Sequence, residues 1–365
     1  MIPPDFCREA ATIRDTDRRH CGYFDLNGQT VRVASPTRET IENLRSFFFP
    51  YITSQDEAQC SDINYELIAV VEPELYDYIG ANVPPSPDDV LPAVLKHDSE
   101  YQLGCFYSVS DEITIIEDQP LKLFYLISER GRATKIVGTV GSRIQTGLLR
   151  MLRAFWVLSN DALIVHACAL EKHGRGLIIA GEKYAGKTTS LLNLCSRKNY
   201  AIVANDRLLL QSNEPDGSLC AIGVPTVVNV RWDTVKPFPD LQHLINLRLF
   251  SVYDLARALN VEVKREVKVS AVVFLSYDHG LRRPVFRSLS QDESYAMSAS
   301  QLMSRREYEW VKIMNVCEVG PVRVGMAKKD LIGRVSCFQL TSNETQLEEL
   351  ANLLDDWCQV GSGSR

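Results

Sequence analysis

The sequence predicts an α/β domain over residues 141–360, preceded by a smaller mixed, mostly β domain over residues 1–140. Three observations support this prediction. A glycine-rich loop at 181–189 follows a short apolar run and precedes a helical pattern, which gives the order strand, loop, helix. A second apolar run, at 200–207, ends in polar residues. The N-terminal residues instead carry short alternating segments separated by turn residues, which is typical of β-strands.

The N-terminal domain is predicted to contain a β-hairpin, a helix and several further strands. Residues 22–34 alternate around Asn27-Gly28, a dipeptide that strongly favours a two-residue hairpin turn. Residues 39–49 carry apolar side chains at helical spacing. The segment contains no catalytic motif, and substrate recognition is the role we expect for it. Further strands are predicted at 65–72, 101–108, 112–117 and 121–128, with a proline-rich loop at 83–89.

The two halves are predicted to be joined by a helix at 141–158, where apolar residues again recur at helical spacing. Residues 162–171 are then predicted to form one buried strand that contains His166. A histidine among apolar residues is costly to bury unless it is paired. Taken alone, His166 fits either a satisfied core histidine or part of a site beside the following loop.

The loop has the pattern G-x-x-x-x-G-K-T, which is typical of loops that surround phosphate groups. Gly181 and Gly186 allow backbone conformations that are closed to other residues, so consecutive N–H groups can point at a phosphate, and the next helix adds its positive N-terminal end. Lys187 is expected to reach the β- and γ-phosphates of ATP, and the Thr188 hydroxyl to bind Mg²⁺. The alternative is a tight glycine turn. The candidate nucleotide-binding residues are Gly181, Glu182, Lys183, Tyr184, Ala185, Gly186, Lys187, Thr188 and Thr189.

Polar residues end the strand that is predicted after the loop helix. Asn205 and Asp206 emerge at its carboxyl end, where open α/β sheets bind ligands, and we therefore expect them beside the phosphates. A carboxylate at this place binds Mg²⁺ or accepts a proton from an attacking hydroxyl group. The alternative is that both are turn residues at a strand end.

Three features over about residues 160–240 resemble the C-terminal domain of the HPr kinase/phosphorylase family: His166 ahead of the loop, the loop itself, and the strand end Ala204-Asn205-Asp206-Arg207. The resemblance implies an α/β P-loop kinase domain of the HPr kinase and phosphoenolpyruvate carboxykinase type. It also implies ATP-dependent transfer of a phosphoryl group to a hydroxyl group, typically that of serine. His166 would then assist at the transferred phosphate, Asp206 would be the base or a metal ligand, and Lys187 with Thr188 would hold phosphate and Mg²⁺.

The chain departs from the family pattern in two places. Asn205 replaces the first of two aspartates, so either Asp206 takes the role of base or catalysis is weakened. Residues 223–231 occupy the region where HPr kinases carry a glutamate-bearing motif, and that motif is absent here. The chain therefore looks more like the divergent relatives that accompany peptide natural-product pathways. HPr kinases form hexamers. The resemblance therefore also allows a homo-oligomer of this chain.

The C-terminal part is predicted to complete the α/β domain. Residues 267–276 form a strong strand pattern, followed by a turn at 277–280 and a returning strand at 281–288. Helices are predicted at 292–303 and 304–313, and a terminal amphipathic helix is predicted after an N-cap at 341–344. The tail at 361–365 is expected to be flexible.

Composition limits the classes of partner. The 46 acidic and 40 basic residues give a formal net charge of −6, which argues against nucleic acid as the main partner. No apolar run reaches the roughly 20 residues that span a bilayer. The first residues lack the apolar segment of a signal peptide, and we therefore expect a cytoplasmic protein without a membrane partner. The ten cysteines form no C-x-x-C pair and are expected to be reduced core residues.

Three functional hypotheses remain open at this level. The first is an ATP- and Mg²⁺-dependent kinase that acts on a hydroxyl group of a peptide or protein, and the second is a kinase of a small-molecule hydroxyl such as that of a sugar, polyol or antibiotic. The third is a nucleotide-binding regulator with little turnover, which is suggested by Asn205. An open groove favours a peptide acceptor and a closed pocket a small molecule, whereas a regulator would bind nucleotide without forming product.

Overall fold

The computed structural model describes residues 19–55, 63–83, 93–97, 100–110, 113–128, 132–212, 217–228, 232–238, 241–242, 250–305, 308, 311, 333–343 and 347–360. The proline-rich loop predicted at 83–89 lies almost entirely outside these residues, as does the tail at 361–365. Contacts divide the chain into two compact mixed α/β units. Unit 1 comprises Met1–Phe48, Ile52–Asn160 and Arg305–Gly320, and unit 2 comprises Phe49–Tyr51, Asp161–Ser304 and Pro321–Arg365.

Unit 1 is built on a mixed sheet. In its described residues the strand order is β3-β1-β2-β4-β9-β8-β7-β6-β5. The pairs β2–β4 and β4–β9 are parallel, and the other neighbouring pairs are antiparallel. The strands are β1 (His20–Leu26), β2 (Gln29–Ser35), β3 (Thr53–Gln55), β4 (Tyr65–Val71), β5 (Ala93–His97), β6 (Glu100–Ser110), β7 (Ile113–Asp118), β8 (Leu123–Ser128) and β9 (Ala133–Gly138).

The predicted hairpin and the two helices predicted at 39–49 and 141–158 are present in unit 1, which also contains a helix at 73–82 that the sequence analysis did not predict. Asn27 and Gly28 connect β1 to β2 with φ angles of 54° and 84°, the left-handed conformations that this turn requires. Helices α1 (Arg38–Phe48) and α2 (Pro73–Asn82) follow the strands β2 and β4. Helix α3 (Gly141–Leu158) packs on β4 and β9 and buries Trp156 completely, so it belongs to unit 1. A division at residue 140 into a recognition domain and a catalytic domain stays a prediction.

Unit 2 contains the predicted glycine-rich loop and is also built on a mixed sheet. Its described strands have the order β10-β14-β15-β16-β12-β11-β13, and β18 pairs with both β16 and β17. The strands are β10 (Leu163–Val165), β11 (Ala167–Lys172), β12 (Arg175–Gly181), β13 (Ala201–Ala204), β14 (Leu208–Ser212), β15 (Leu219–Gly223), β16 (Glu266–Tyr277), β17 (Val285–Ser288) and β18 (Ser336–Ser342). The helices are α4 (Lys187–Lys198), α5 (Trp232–Val235), α6 (Val252–Leu259), α7 (Gln291–Gln301) and α8 (Leu347–Val360).

Strand β16 organises this sheet. Its first residues pair with β15 in the antiparallel direction, and its later residues pair in parallel with β12 on one edge and β18 on the other. Consecutive residues 271–275 are all buried, as expected for a parallel strand that is covered on both faces. The continuous apolar run predicted at 267–276 is therefore confirmed as a central strand.

Three sequence-based expectations for unit 2 are wrong. The single strand predicted at 162–171 is two strands, β10 and β11, with His166 between them. The strand predicted at 281–288 is shorter, and as β17 it pairs with β18 rather than returning along β16. Thr341 and Ser342 end β18 instead of capping a helix, because their strand extends to residue 342 and α8 begins only at Leu347.

Among the described residues, no helix combines the length and hydropathy needed to cross a bilayer.

We expect Gly223→Ala to destabilise unit 2. A Cβ atom at this position would overlap the Tyr51 ring and the Val203 carbonyl oxygen, which are themselves joined by a hydrogen bond of 2.7 Å from the Tyr51 hydroxyl. Overpacking of this kind costs about 1–3 kcal/mol, which urea denaturation can measure. The control is Gly280→Ala, whose Cβ atom would lie 3.3 Å from the Asp278 Oδ1 atom in a turn. Equal stability of the two variants would contradict this prediction.

Candidate functional site

The glycine-rich loop connects the end of β12 to the start of α4, as the sequence predicted. Gly181 and Gly186 have φ angles of 151° and 92°, and Tyr184 adopts the left-handed region with a φ angle of 73°. A Cβ atom on Gly181 would lie 2.7 Å from the Leu275 carbonyl oxygen, so the close approach of β12 and β16 requires glycine. A Cβ atom on Gly186 would meet nothing within 4 Å, so the space at this end of the loop is open.

The N-terminal end of α4 faces this open space. Gly186 is its N-cap residue, and no side chain forms a capping hydrogen bond there. The first N–H groups of a helix have no partner within the helix, and together with the helix dipole they favour an anion. Thr188 and Thr189, in this first turn, are partly exposed. The end of the helix is therefore available to a phosphate group.

Lys187 is buried, with only 9% of the residue exposed. Its ammonium group donates hydrogen bonds to the carbonyl oxygens of Gly181 (2.6 Å) and Glu182 (3.1 Å). Burial lowers the pKa of Lys187, although the nearby Cys168 and Asp206 act in the opposite direction. The loop thus holds a desolvated cation against its own backbone carbonyls, which is a position from which the ammonium group can turn to a phosphate.

A gap in an antiparallel ladder creates the rest of the site. Leu163 pairs with Leu210 and Val165 with Leu208 on one side of the gap, and Ala169 pairs with Ala204 on the other. These three pairs share one register, which shifts by one residue further along β11, at a bulge between Ala169 and Leu170. Between these two ladders, in the described part of the sheet, residues 166–168 and 205–207 form no backbone ladder pairs with each other. Continued through the gap, the register sets His166 opposite Arg207, Ala167 opposite Asp206 and Cys168 opposite Asn205.

His166 and Asp206 meet at this gap. The His166 Nε2 atom lies 3.1 Å from the Asp206 Oδ1 atom, and the Arg207 Nε atom lies 3.5 Å from Oδ2. Burial raises the pKa of Asp206, but the hydrogen bond and charge of His166, with the charges of Arg207 and Lys187, outweigh it and leave this pKa below its ordinary value. Asp206 is therefore ionised at neutral pH, and both side chains are still partly exposed, with 36% for His166 and 43% for Asp206.

Asn205 faces away from solvent, unlike its neighbour Asp206. The residue is 4% exposed, and its side-chain oxygen is buried without a hydrogen-bond partner among the described residues. Its backbone carbonyl accepts a hydrogen bond of 2.6 Å from the Cys168 thiol. Burial raises the pKa of Cys168, with a smaller contribution from Asp206, so the thiol stays neutral and can donate. Asn205 thus lies beneath the site and does not line its surface.

Gln301, at the end of α7, is a residue of the site that sequence reasoning missed. Its backbone carbonyl accepts a hydrogen bond from the His166 N–H group (2.9 Å), and its Oε1 atom accepts one from the Gly181 N–H group (3.4 Å). One buried residue therefore links the histidine segment to the start of the loop. The sequence contains no local signal for this role, because the partners are more than 100 positions away.

A cleft of about 640 Å³ opens on the other side of the loop. It is lined by residues 181–185 of the loop, by residues 274–277 at the end of β16 and, from α7, by Ala296, Met297, Ser300 and Gln301. Sequence reasoning assigned residue 277 to a turn. The rule that ligands bind at the carboxyl ends of strands, which led to Asp206, could also have identified residue 277 as a site residue. Strands β12 and β16 are parallel and end at the same edge of the sheet.

The residues predicted for catalysis and binding lie at one edge of the sheet in unit 2. His166 and Asp206 are in contact, and the charge of Lys187 acts on Asp206. Glu182, Lys183 and Tyr184 are exposed on the loop, and Ala185 is half-buried. Among the described residues, no three His, Cys, Asp or Glu side chains form a metal cluster. Mg²⁺ needs only one or two carboxylates when phosphates and water complete its shell, so a site for this ion does not require such a cluster.

Comparison with known proteins finds similarity among solved structures. No protein-family model matches the chain, and no curated protein matches it. Among solved structures, the chain is similar to the Hpr(Ser) kinase/phosphatase from Coxiella burnetii, with 13% sequence identity and a TM-score of 0.31. The match covers 55% of this chain and 99% of that chain. A similarity of this degree supports no conclusion about function, which we therefore argue from the side chains themselves.

We expect His166→Ala to raise the pKa of Asp206. The substitution removes the hydrogen bond and the charge that most strongly oppose the effect of burial, so protonation of the carboxylate becomes easier. Carboxyl ¹³C NMR titration can follow this group, with Asp206→Asn to assign its resonance. His173→Ala, in the exposed turn between β11 and β12, is the control and is expected to leave the titration unchanged. An unchanged or lower midpoint in His166→Ala would show that the pair does not control this carboxylate.

Proposed function

We propose that this protein is an ATP- and Mg²⁺-dependent kinase that transfers the γ-phosphoryl group to a hydroxyl group, with serine or threonine of a peptide or protein as the acceptor. The observation that carries this proposal is the meeting of an open glycine-rich loop, a buried lysine and an ionised aspartate at one edge of the sheet in unit 2. We assign unit 2 to the P-loop kinase type that the sequence motifs resemble.

The residues present fit a nucleoside triphosphate with Mg²⁺. The uncapped end of α4 and the open space at Gly186 suit a polyphosphate, and Lys187 supplies a cation beside it. The Thr188 hydroxyl and the Asp206 carboxylate are the oxygen ligands that would hold the metal. Mg²⁺, when bound, neutralises charge on the phosphate oxygens.

The chain itself supplies positioning and proton acceptance. Loop N–H groups and Lys187 orient the phosphates, and His166 fixes the carboxylate of Asp206 by donating to Oδ1. The acceptor hydroxyl gives its proton to Asp206 as its oxygen bonds to the γ-phosphorus atom. The bond from that phosphorus to the β–γ bridging oxygen breaks, and ADP leaves. A loose transition state demands little of the base, so an aspartate with a lowered pKa suffices.

One observation favours a second function, a nucleotide-binding regulator with little turnover. The position at which the resembled kinases carry an additional aspartate holds Asn205, and this side chain is buried rather than directed at a substrate. Asp206 is then the one carboxylate that both binds the metal and accepts the proton. If the two roles exclude each other, nucleotide binding remains and turnover is lost.

The test compares ATP turnover and ATP affinity in wild type, Asp206→Asn and Lys187→Ala, with Mg²⁺ and panels of serine peptides and polyols. We expect Asp206→Asn to lower turnover by roughly 10²- to 10⁴-fold while nucleotide affinity changes little. Lys187→Ala is expected to lose nucleotide affinity because it removes the cation of the loop. Lys236→Ala, an exposed lysine outside the loop, is the matched control.

The possible results distinguish a peptide kinase, a small-molecule kinase and a nucleotide-binding regulator. Product formed with a peptide supports the proposal, and product formed only with polyols shifts the acceptor to a small molecule. Tight nucleotide binding by wild type without any product, across both panels, establishes the regulator and overturns the kinase. Full turnover in Asp206→Asn would show that this carboxylate is not the base.

A further inference from the structure

The cleft beside the loop and the pair His166–Asp206 lie on opposite sides of β12. Strand β12 pairs with β11 on one edge, and residue His166 comes immediately before β11, which in turn pairs with β13 just ahead of Asp206. On its other edge β12 pairs with β16, whose last four residues line the cleft. The loop at the end of β12 therefore has a polar, ionised side and a second side with an open cavity.

This arrangement sets the direction of a bound triphosphate. In the proposed kinase, the phosphoryl group that is transferred must lie next to Asp206, on the side of β13. The other end of the triphosphate then extends across the loop toward β16. Whatever is attached to the α-phosphate is brought to the cleft, whose volume of about 640 Å³ is within the range of small-molecule sites.

Building on that kinase function, we propose that the cleft binds the nucleoside of the nucleotide and that the base stacks on Tyr277 and Tyr184. The two residues are 39% and 66% exposed and line one cavity. Phe274 and Met297 add apolar lining below them. The Tyr277 ring is supported edge-on by His279, with 4.6 Å between ring centroids, which favours a fixed surface for stacking. Exposed aromatic rings of this kind are a stacking platform for nucleobases.

The polar groups at the base of the cleft are engaged with one another. The Ser276 hydroxyl lies 2.6 Å from the Thr341 hydroxyl and accepts a hydrogen bond from the Gln339 side chain. The Gln301 amide donates to the Ser300 hydroxyl at 3.0 Å. Glu182 belongs to the loop and lies at the phosphate end. Because these side chains of the described lining are already hydrogen-bonded, we expect stacking to dominate recognition of the base and both adenine and guanine to be accepted.

The test measures binding of ATP, GTP and inorganic tripolyphosphate by calorimetry with the same Mg²⁺ concentration. The quantity compared is the Kd of tripolyphosphate divided by the Kd of ATP, which isolates the nucleoside. We expect Tyr277→Ala to lower this ratio by roughly tenfold, since loss of a stacked ring has about that effect, and to leave tripolyphosphate affinity unchanged. Tyr277→Phe keeps the ring and is expected to keep the ratio. Trp232→Ala, an exposed aromatic outside the cleft lining, is the surface control.

Failure of the nucleoside-site proposal can be distinguished from failure of the kinase proposal. An unchanged ratio in Tyr277→Ala, in a variant with the wild-type Tm, overturns the nucleoside site while the kinase function stands. The same conclusion follows if Tyr277→Ala raises the KM of the hydroxyl acceptor and leaves ATP affinity unchanged, because the cleft then holds the acceptor. A preference of more than about a hundredfold for ATP over GTP contradicts recognition by stacking. If wild type binds neither ATP nor tripolyphosphate, both proposals fail together.

Discussion

The gap in the ladder between residues 162–172 and 201–212 is the constraint on which the site depends. Backbone groups that leave a ladder need new partners, because an unpaired buried N–H or C=O group is costly. Gln301 accepts from the N–H group of His166, the Cys168 thiol donates to the carbonyl of Asn205, and the Val224 N–H group donates to the carbonyl of Arg207. These three bonds satisfy backbone groups on both sides of the gap and thereby help to fix where His166 and Asp206 stand.

Charge is distributed to favour an anion at the loop, although the chain as a whole carries a formal charge of −6. Lys187 has carbonyl oxygens rather than a carboxylate as its hydrogen-bond partners, so its buried charge is held by backbone dipoles and is not neutralised by a contacting carboxylate. An incoming phosphate competes with those dipoles and with the charge of Asp206, which also acts on Lys187. Asp206 is the negative group of the site, and His166 and Arg207 balance it at close range.

The sequence predicts the parts of this site that are encoded locally. The loop, the strand before it and the helix after it follow one another directly in the chain, and the apolar run of β16 is long enough to be unambiguous. The break at His166 is not visible in the sequence, because the apolar pattern continues on both sides of the histidine. Tertiary pairing creates this break, since β10 joins β14 while β11 joins β12 and β13.

The remaining site residues have partners that are distant in sequence. Gln301 contacts Gly181 across 120 positions, and nothing near it in the chain marks it as more than a polar residue at a helix end. Tyr277 similarly ends an ordinary strand, and its position beside the loop depends on β12 and β16 being parallel neighbours. Helix and strand periodicity reports which face of an element is buried, whereas it contains no information on which elements are adjacent.

Strand direction explains why one edge of the sheet in unit 2 collects all of these groups. Strands β12 and β16 are parallel, so their carboxyl ends share an edge. Strand β11 is antiparallel to both β12 and β13, so its amino end, with His166, and the carboxyl end of β13, with Asp206, reach the same edge. The rule that ligands lie at carboxyl ends of parallel strands finds Asp206 and Tyr277. It does not find His166, which is placed there only because one antiparallel strand is inserted between two that run the other way.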